Sequence, residues 1–294
     1  MKAQTIKSVT ETMKVGLAAM ALWAAVGCSP QAQVERNIAS DNDSAAIVNG
    51  DIVLDQDAIS KSTVAIYLKY PDSTRVQNFC TGTIINDDTI VTAAHCMADV
   101  AQMFDLTVDQ LLPRLRIGLG LGLVKSFDDK RTTWLELRAA TVHPDYRIES
   151  DALENAEKGI AFHDIAIIRL AHKIPAPYKA AKMMATNERL IAGLKLTLAG
   201  YGVTRGAPFA TPSNELRRTD VVVGKPALNP TQFQYDVIDG HSACSGDSGG
   251  PAYLIENGEL TLVGVTSWGD NSCVKQGVYT SIPAMYAWIQ QTIL

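Results

Sequence analysis

The chain lacks any CxxC pair and any HExxH motif, so neither a structural nor a catalytic zinc site has the ligand spacing it needs. It has no basic cluster. Its 26 Lys and Arg stand against 31 Asp and Glu, a formal charge of −5, which excludes the electrostatic footprint of a nucleic-acid binder. Charged residues make up only 19% of it, too few for a charge-rich disordered segment. No 20–50-residue repeat and no low-complexity tract is present. Only one long apolar run occurs, near the N-terminus, so a multi-span membrane protein is excluded. What remains is 294 residues, 47% of them hydrophobic, enough to build a substantial globular core.

The first residues read as an export signal. Lys2, Lys7 and Lys14 outweigh Glu11, and Val15 to Val26 is apolar but too short to span a bilayer comfortably. The run ends Ala25-Val26-Gly27-Cys28-Ser29, which resembles the lipobox of bacterial lipoproteins, where small residues precede a lipidated Cys. Ala25 departs from it, since Leu or another branched residue is usual there. We therefore expect residues 1–27 to be a signal peptide and Cys28 to carry lipid, with an ordinary secretory signal as the alternative. Either route leads to an oxidising compartment. Residues 28–46 are mostly polar and small and read as a linker or pro-segment. If Cys28 is lipidated, Cys80, Cys96, Cys244 and Cys273 are left, and sequence alone allows three pairings among them.

After the linker, short β-branched runs alternate with Gly, Pro, Asn and Asp turn signals, the pattern of an all-β barrel or sandwich. The runs are Thr63–Leu68, Thr83–Thr92, Arg114–Ile117, Thr141–Val142, Ile165–Leu170, Lys195–Ala199, Asp220–Val223, Leu260–Trp268 and Gly277–Ile282. Two stretches, Met97–Leu112 and Glu149–Ala161, have helix-like composition and read as surface insertions. Pro283–Leu294 opens with Pro and carries Met285, Trp288 and Ile289 at helical spacing, which predicts a short C-terminal helix.

Chemistry concentrates in three places. Ser248 lies in Cys244-Ser245-Gly246-Asp247-Ser248-Gly249-Gly250-Pro251, among glycines that let backbone N–H groups approach a reacting atom. A serine hydroxyl needs a neighbouring base. His95 closes the apolar run ending Thr92-Ala93-Ala94-His95-Cys96, and Asp164 heads another, His163-Asp164-Ile165-Ala166-Ile167-Ile168-Arg169-Leu170. His143, His163, His172 and His241 are read as structural or surface residues.

Together these segments resemble the trypsin/chymotrypsin-like serine proteases, which hydrolyse peptide bonds with a Ser-His-Asp triad. Further matching motifs are Ile47-Val48-Asn49-Gly50, Ser267-Trp268-Gly269, Gly277-Val278-Tyr279 and Trp288-Ile289. The resemblance covers residues 47–294 and implies two six-stranded antiparallel β-barrels with a short C-terminal helix. It implies Ser248 as nucleophile, His95 as general base and then acid, and Asp164 as the group that orients His95. The N–H groups of Gly246 and Ser248 would form the oxyanion hole. Ser267 would bond Asp164, and Ser267-Trp268-Gly269 would hold an extended protein or peptide substrate as an added strand. It also implies the bridges Cys80–Cys96 and Cys244–Cys273.

The family's zymogen activation implies a cut between Ala46 and Ile47, after which the α-amino group of Ile47 pairs with Asp247. Ser44-Ala45-Ala46 contains no basic residue, so an activating protease that prefers small residues is expected. Ser242 occupies the pocket-floor position, with Gly269 and Gly277 as walls. An uncharged floor and two glycines predict large apolar residues before the scissile bond, with Asp270 or Asp239 serving a basic residue as the alternative. No cofactor and no metal is expected, since Asp128, Asp129 and Glu136 do not form a clean ligand set. The rival readings are a catalytically dead binding homologue and an esterase. The expected location is the bacterial envelope as a lipoprotein, or secreted or periplasmic after activation.

Overall fold

The computed structural model describes residues 47–149 and 160–294. The signal segment, Cys28 and the linker through Ala46 lie outside the described residues, as does the middle of the second insertion.

Twelve strands form two closed barrels. The first contains β1 (Thr63–Lys69), β2 (Val76–Asn86), β3 (Thr89–Thr92), β4 (Leu115–Leu119), β5 (Thr133–Val142) and β6 (Ala166–Leu170). The second contains β7 (Lys195–Gly200), β8 (Arg217–Asn229), β9 (Gln232–Asp236), β10 (Pro251–Glu256), β11 (Glu259–Gly269) and β12 (Gln276–Ser281). All pairings within both rings are antiparallel. Around the first ring the order is β2-β1-β4-β5-β6-β3, and around the second it is β8-β7-β10-β11-β12-β9. The two barrels therefore share one topology. Closure leaves neither ring with an unpaired edge.

Side-chain alternation explains why these segments are strands. In β8, Thr219, Val221 and Val223 are buried, while Asp220, Val222 and Gly224 between them are exposed. Ile66, Ile84, Ile90, Leu115, Ile117 and Ile168 fill one core, and Leu198, Val223, Phe233, Tyr235, Val263 and Tyr279 fill the other. Each predicted strand lies within or overlaps an observed one. β9 and β10 were not anticipated.

The insertions divide. The first does contain helices, His95–Met103 and Val108–Leu111, the second opened by a Thr107/Gln110 capping box. The second insertion is bounded by strand instead of helix. Arg147–Glu149 pairs antiparallel with Ile160–Phe162, placing Glu149 opposite Ile160. Ile148 and Ile160 are β-branched and favour this extended pairing at the two ends, while the rest of the insertion lies outside the described residues.

The C-terminal helix runs Ile282–Ile293 with Pro283 in its first turn, where the missing N–H is not needed. It buries Ile282, Met285 and Ile289, while Trp288 packs on His143 at 4.7 Å between ring centroids. The Arg169 guanidinium donates to the Ile293 carbonyl, placing a cation at the helix C-terminus.

Both bridges implied by the resemblance are present. Cys80–Cys96 spans 16 residues and Cys244–Cys273 spans 29. A loop of about 15 residues contributes roughly 3 kcal/mol in the chain-entropy model.

Candidate active site

Strand pairing brings the base and its partner acid together. β3 and β6 are antiparallel neighbours, with Thr92 opposite Ala166. The end of β3 and the start of β6 thus lie at the same edge, so His95, just past β3, faces Asp164, just before β6. Asp164 is fully buried. Its Oδ2 lies 2.8 Å from His95 Nδ1, and its Oδ1 accepts from the His95 backbone N–H at 2.9 Å. Ser267 Oγ on β11 donates to Oδ2 at 2.6 Å. Thr280 Oγ1 on β12 donates to the Asp164 carbonyl at 2.9 Å. Burial pushes the Asp164 carboxyl up, but the His95 ring and the converging hydrogen bonds outweigh it and hold the group below its ordinary value. A charged carboxylate therefore persists in a dry setting, as an orienting anion requires.

The Ser248 loop precedes β10 in the second barrel and is fastened to the first. Thr81 on β2 donates its N–H to the Ser248 carbonyl at 2.8 Å and its hydroxyl to the Gly246 carbonyl at 3.0 Å. Gly246 sits at φ 95° and Gly249 at φ 79°, in the left-handed region. A Cβ on Gly249 would fall 2.0 Å from Thr92 Oγ1, so this turn packs against β3 only because the side chain is absent. Among the described residues, no group accepts from the N–H of Gly246 or Ser248. Both residues line a cleft of about 390 Å³. His95, Ser248, Gly246, Ser267, Trp268, Gly269 and Gly277 all line it. Tyr146 and Asp99 also line it, joined by a 2.9 Å hydrogen bond. The sequence reading missed both.

Asp247 and Ile47 are fully buried. Asp247 accepts from the N–H groups of Gly202 and Cys244, each at 2.8 Å. Burial nevertheless pushes its carboxyl up to about 7. Val48 makes reciprocal backbone bonds with Ser242, at 2.8 and 3.3 Å, which carries Ile47 into the core of the second barrel. Asn49 stands at φ 56°, a left-handed conformation that asparagine tolerates better than most residues.

The pocket differs from expectation. Ser242 is 1% exposed and does not line the cleft. Its hydroxyl bonds the Ala243 carbonyl at 2.9 Å and the Tyr235 phenol at 3.1 Å. Gly277 lines the cleft, and the volume a side chain there would take is occupied, since a Cβ would lie 2.4 Å from the Tyr235 ring and hydroxyl. A Cβ on Gly269 would likewise lie 2.8 Å from the Gln276 carbonyl oxygen. Asp270 lines the cleft, but its carboxylate accepts from Ser272 Oγ and from the N–H groups of Val274 and Lys275 at 2.5–3.1 Å, closing its own turn. Asp239 is exposed and away from the cleft lining.

One group of three potential metal donors occurs among the described residues, Cys80, Cys96 and His95, and its two sulfurs are bonded to each other. Asp129 bonds the Arg131 guanidinium, and Glu136 pairs with Arg116.

The family model described as Trypsin matches residues 55–289. CLIP domain-containing serine protease B4 of Anopheles gambiae is 29% identical over 238 residues, 73% of this chain and 62% of that relative's length. Hypodermin-B of Hypoderma lineatum is 27% identical over 73% of this chain and 77% of its own. A trypsin of Sarcophaga bullata is 25% identical over 74% of this chain and 80% of its own. With its two closed barrels, its buried Asp164 bonded to His95 and a family match over most of its length, the chain belongs to the trypsin family of serine proteases.

Proposed function

We propose that this protein is a serine endopeptidase, made as a zymogen whose protease domain is residues 47–294 and acting through Ser248, His95 and Asp164. The observation that carries this reading is the buried Asp164 carboxylate, bonded at once to His95 Nδ1, the His95 N–H and Ser267 Oγ, behind the cleft that His95, Ser267 and Ser248 line. His95 takes the Ser248 proton as the hydroxyl attacks a peptide carbonyl, then delivers it to the leaving amine. The N–H groups of Gly246 and Ser248 receive the developing oxyanion.

Export and anchoring through Cys28 belong to the same proposal. With Cys80, Cys96, Cys244 and Cys273 paired, Cys28 is the cysteine left over, at the end of a lipobox-like run. A cut before Ile47 would release a protease of 248 residues (294 minus 46) from its lipid. The test is to treat the cut chain with a fluorophosphonate and map it by mass spectrometry. We expect the probe on Ser248 alone, Ile47 at the new N-terminus, and lipid on Cys28 of the precursor. Probe on another residue overturns the catalytic assignment, and an unmodified Cys28 overturns the anchor.

The buried Asp247 predicts a loss with rising pH both before and after the cut, in two different windows. In the uncut chain the folded Asp247 carboxyl titrates near 7, above its ordinary 3.8. Between those values the unfolded chain has lost the proton that the folded chain keeps, so stability falls as pH rises across that window. Asp247→Asn in a Ser248→Ala background should flatten this part of the unfolding profile. In the cut chain, pairing with Asp247 raises the α-amino group of Ile47 above its usual value of about 7.7–8.0. Activity should then be full at lower pH and decline as pH rises through that raised value. If chains with and without the Asp247→Asn substitution unfold identically between pH 4 and 7, the result counts against the buried titration.

A further inference from the structure

We propose that Tyr235 plugs the base of the substrate pocket, so that this enzyme cleaves after small residues and its own Ala46–Ile47 bond is among its substrates. The inference rests on the endopeptidase reading above and goes further, naming the substrate class and the activator.

β9 pairs with β12 so that Tyr235 stands opposite Gly277. Gly277 and Tyr279, two residues apart on one face of β12, both line the cleft. A side chain added at Gly277 would enter the Tyr235 ring, meeting Cε1, Cζ and Oη at 2.4 Å. The phenol therefore fills the volume that the missing side chain leaves.

The plug is held from three sides. The Ala243 N–H donates to Tyr235 Oη at 2.9 Å, the phenol meets Ser242 Oγ at 3.1 Å, and Ser242 Oγ donates to the Ala243 carbonyl at 2.9 Å. These three bonds close a ring in which the phenol must donate to Ser242. Its ring packs on Tyr279 at 5.8 Å between centroids, and Tyr235 is wholly buried. Swinging it out would leave the Ala243 N–H without its acceptor and Ser242 Oγ without its donor. The cleft lining reaches Ala243, Cys244, Gly277 and Tyr279, and stops short of Ser242. A long aromatic or basic side chain finds no depth there, whereas that of Ala, Ser, Thr or Val needs little.

The sequence before Ile47 is Ser44-Ala45-Ala46, which presents that kind of small residue at the activation bond. In one copy, Ser248 Oγ would bond to the Ala46 carbonyl carbon of another. The Ala46–Ile47 C–N bond breaks, and His95 hands its proton to the departing Ile47 nitrogen. Water then releases the Ala46 carboxylate and restores Ser248.

The experiment uses the chain cut before Ile47 by an added alanine-preferring protease, which is then removed. A peptide library varied at the residue before the scissile bond should show Ala, Ser, Thr or Val preferred over Phe, Leu, Lys and Arg by roughly 10- to 100-fold in kcat/KM. Tyr235→Ala should shift the preference toward Phe and Leu, and Tyr235→Phe, which keeps the ring, should not. Fluorophosphonate labelling of Ser248 identifies variants whose site is formed. If Tyr235→Ala does not label, the wild-type profile and Tyr235→Phe decide. The cut enzyme should also convert uncut Ser248→Ala chain to an Ile47 N-terminus, and fail on the same chain carrying Ala46→Arg. A wild-type preference for Phe, Leu or Arg, or a profile unmoved in a labelled Tyr235→Ala enzyme, overturns the plug while leaving the endopeptidase reading intact. An uncut Ser248→Ala chain that survives overturns self-activation. Absence of both labelling and turnover overturns the endopeptidase reading and this inference with it.

Discussion

Ser248→Ala should lower kcat on a small-residue peptide by about 10⁶-fold, and adding His95→Ala should lower it little further. The reason is that neither group acts alone. The hydroxyl is a poor nucleophile without a base, and the base has no proton to take without the hydroxyl. A residual rate of about 10³–10⁴ over water should persist, because the N–H groups of Gly246 and residue 248 remain to meet the oxyanion. Ser248 is partly exposed in the cleft, so removing its hydroxyl leaves no buried group unpaired and the fold should be unchanged. Initial rates and a thermal unfolding scan of the single and double variants check both statements. Strictly multiplicative losses would show that the two residues act independently and would defeat the triad assignment.

Asp164→Asn should cost about 10⁴-fold in kcat with the fold intact. The argument is one of donors and acceptors. Two groups converge on Oδ2, the His95 Nδ1–H and the Ser267 hydroxyl, and the His95 backbone N–H points at Oδ1. An asparagine has one oxygen for these two places. The backbone N–H cannot turn away, so the amide oxygen takes the Oδ1 place and the NH₂ faces the imidazole. Nδ1 must then be an acceptor, which puts the ring proton on Nε2, the nitrogen that should receive the proton of Ser248. The Ser267 hydroxyl can rotate to accommodate the change. Steady-state kinetics give the loss, and nitrogen NMR of the His95 ring gives the tautomer. An Asp164→Asn enzyme with near-normal kcat, or one with the proton still on Nδ1, would contradict this role.

The two variants act on residues that were legible because their chemistry is local. Ser248 sits in a glycine-rich segment, and His95 and Asp164 each border an apolar run, so residue type and immediate neighbours singled them out as candidates, and the resemblance assigned their roles. Most strands were legible for the same reason, since alternation such as Thr219–Val223 is a property of one segment. β9 was not. Its sequence, Gln232-Phe233-Gln234-Tyr235-Asp236, carries two glutamines, whose burial is unfavourable unless partners are supplied. Both are nonetheless almost fully buried. The Gln232 amide donates to the Ala161 carbonyl at 2.7 Å, and that of Gln234 to Asp236 at 2.7 Å. The Gln234 partner is local, but the Ala161 carbonyl that makes Gln232 tolerable is brought there only by the fold. β10 was obscured in a different way, because Pro251 begins it directly after the nucleophile loop and reads as part of that motif.

The sequence alone therefore determined the fold class and the family those motifs resemble, and it named His95, Asp164 and Ser248 as the candidates for the chemistry. The tertiary structure decided what the pocket is. Two glycines and a serine read as an open, deep slot only while each is considered with its own neighbours in the chain. Whether the space beside Gly277 is empty depends on the register of β9 against β12, which sets Tyr235 across from it, and on the Ser242 and Ala243 groups that hold the phenol there. Strand register between distant segments is fixed by closure of the barrel and by which faces are buried. A catalytic serine is a matter of chemical type and so is written in the chain, whereas a pocket is a volume, set by side chains that only the folded barrel brings together.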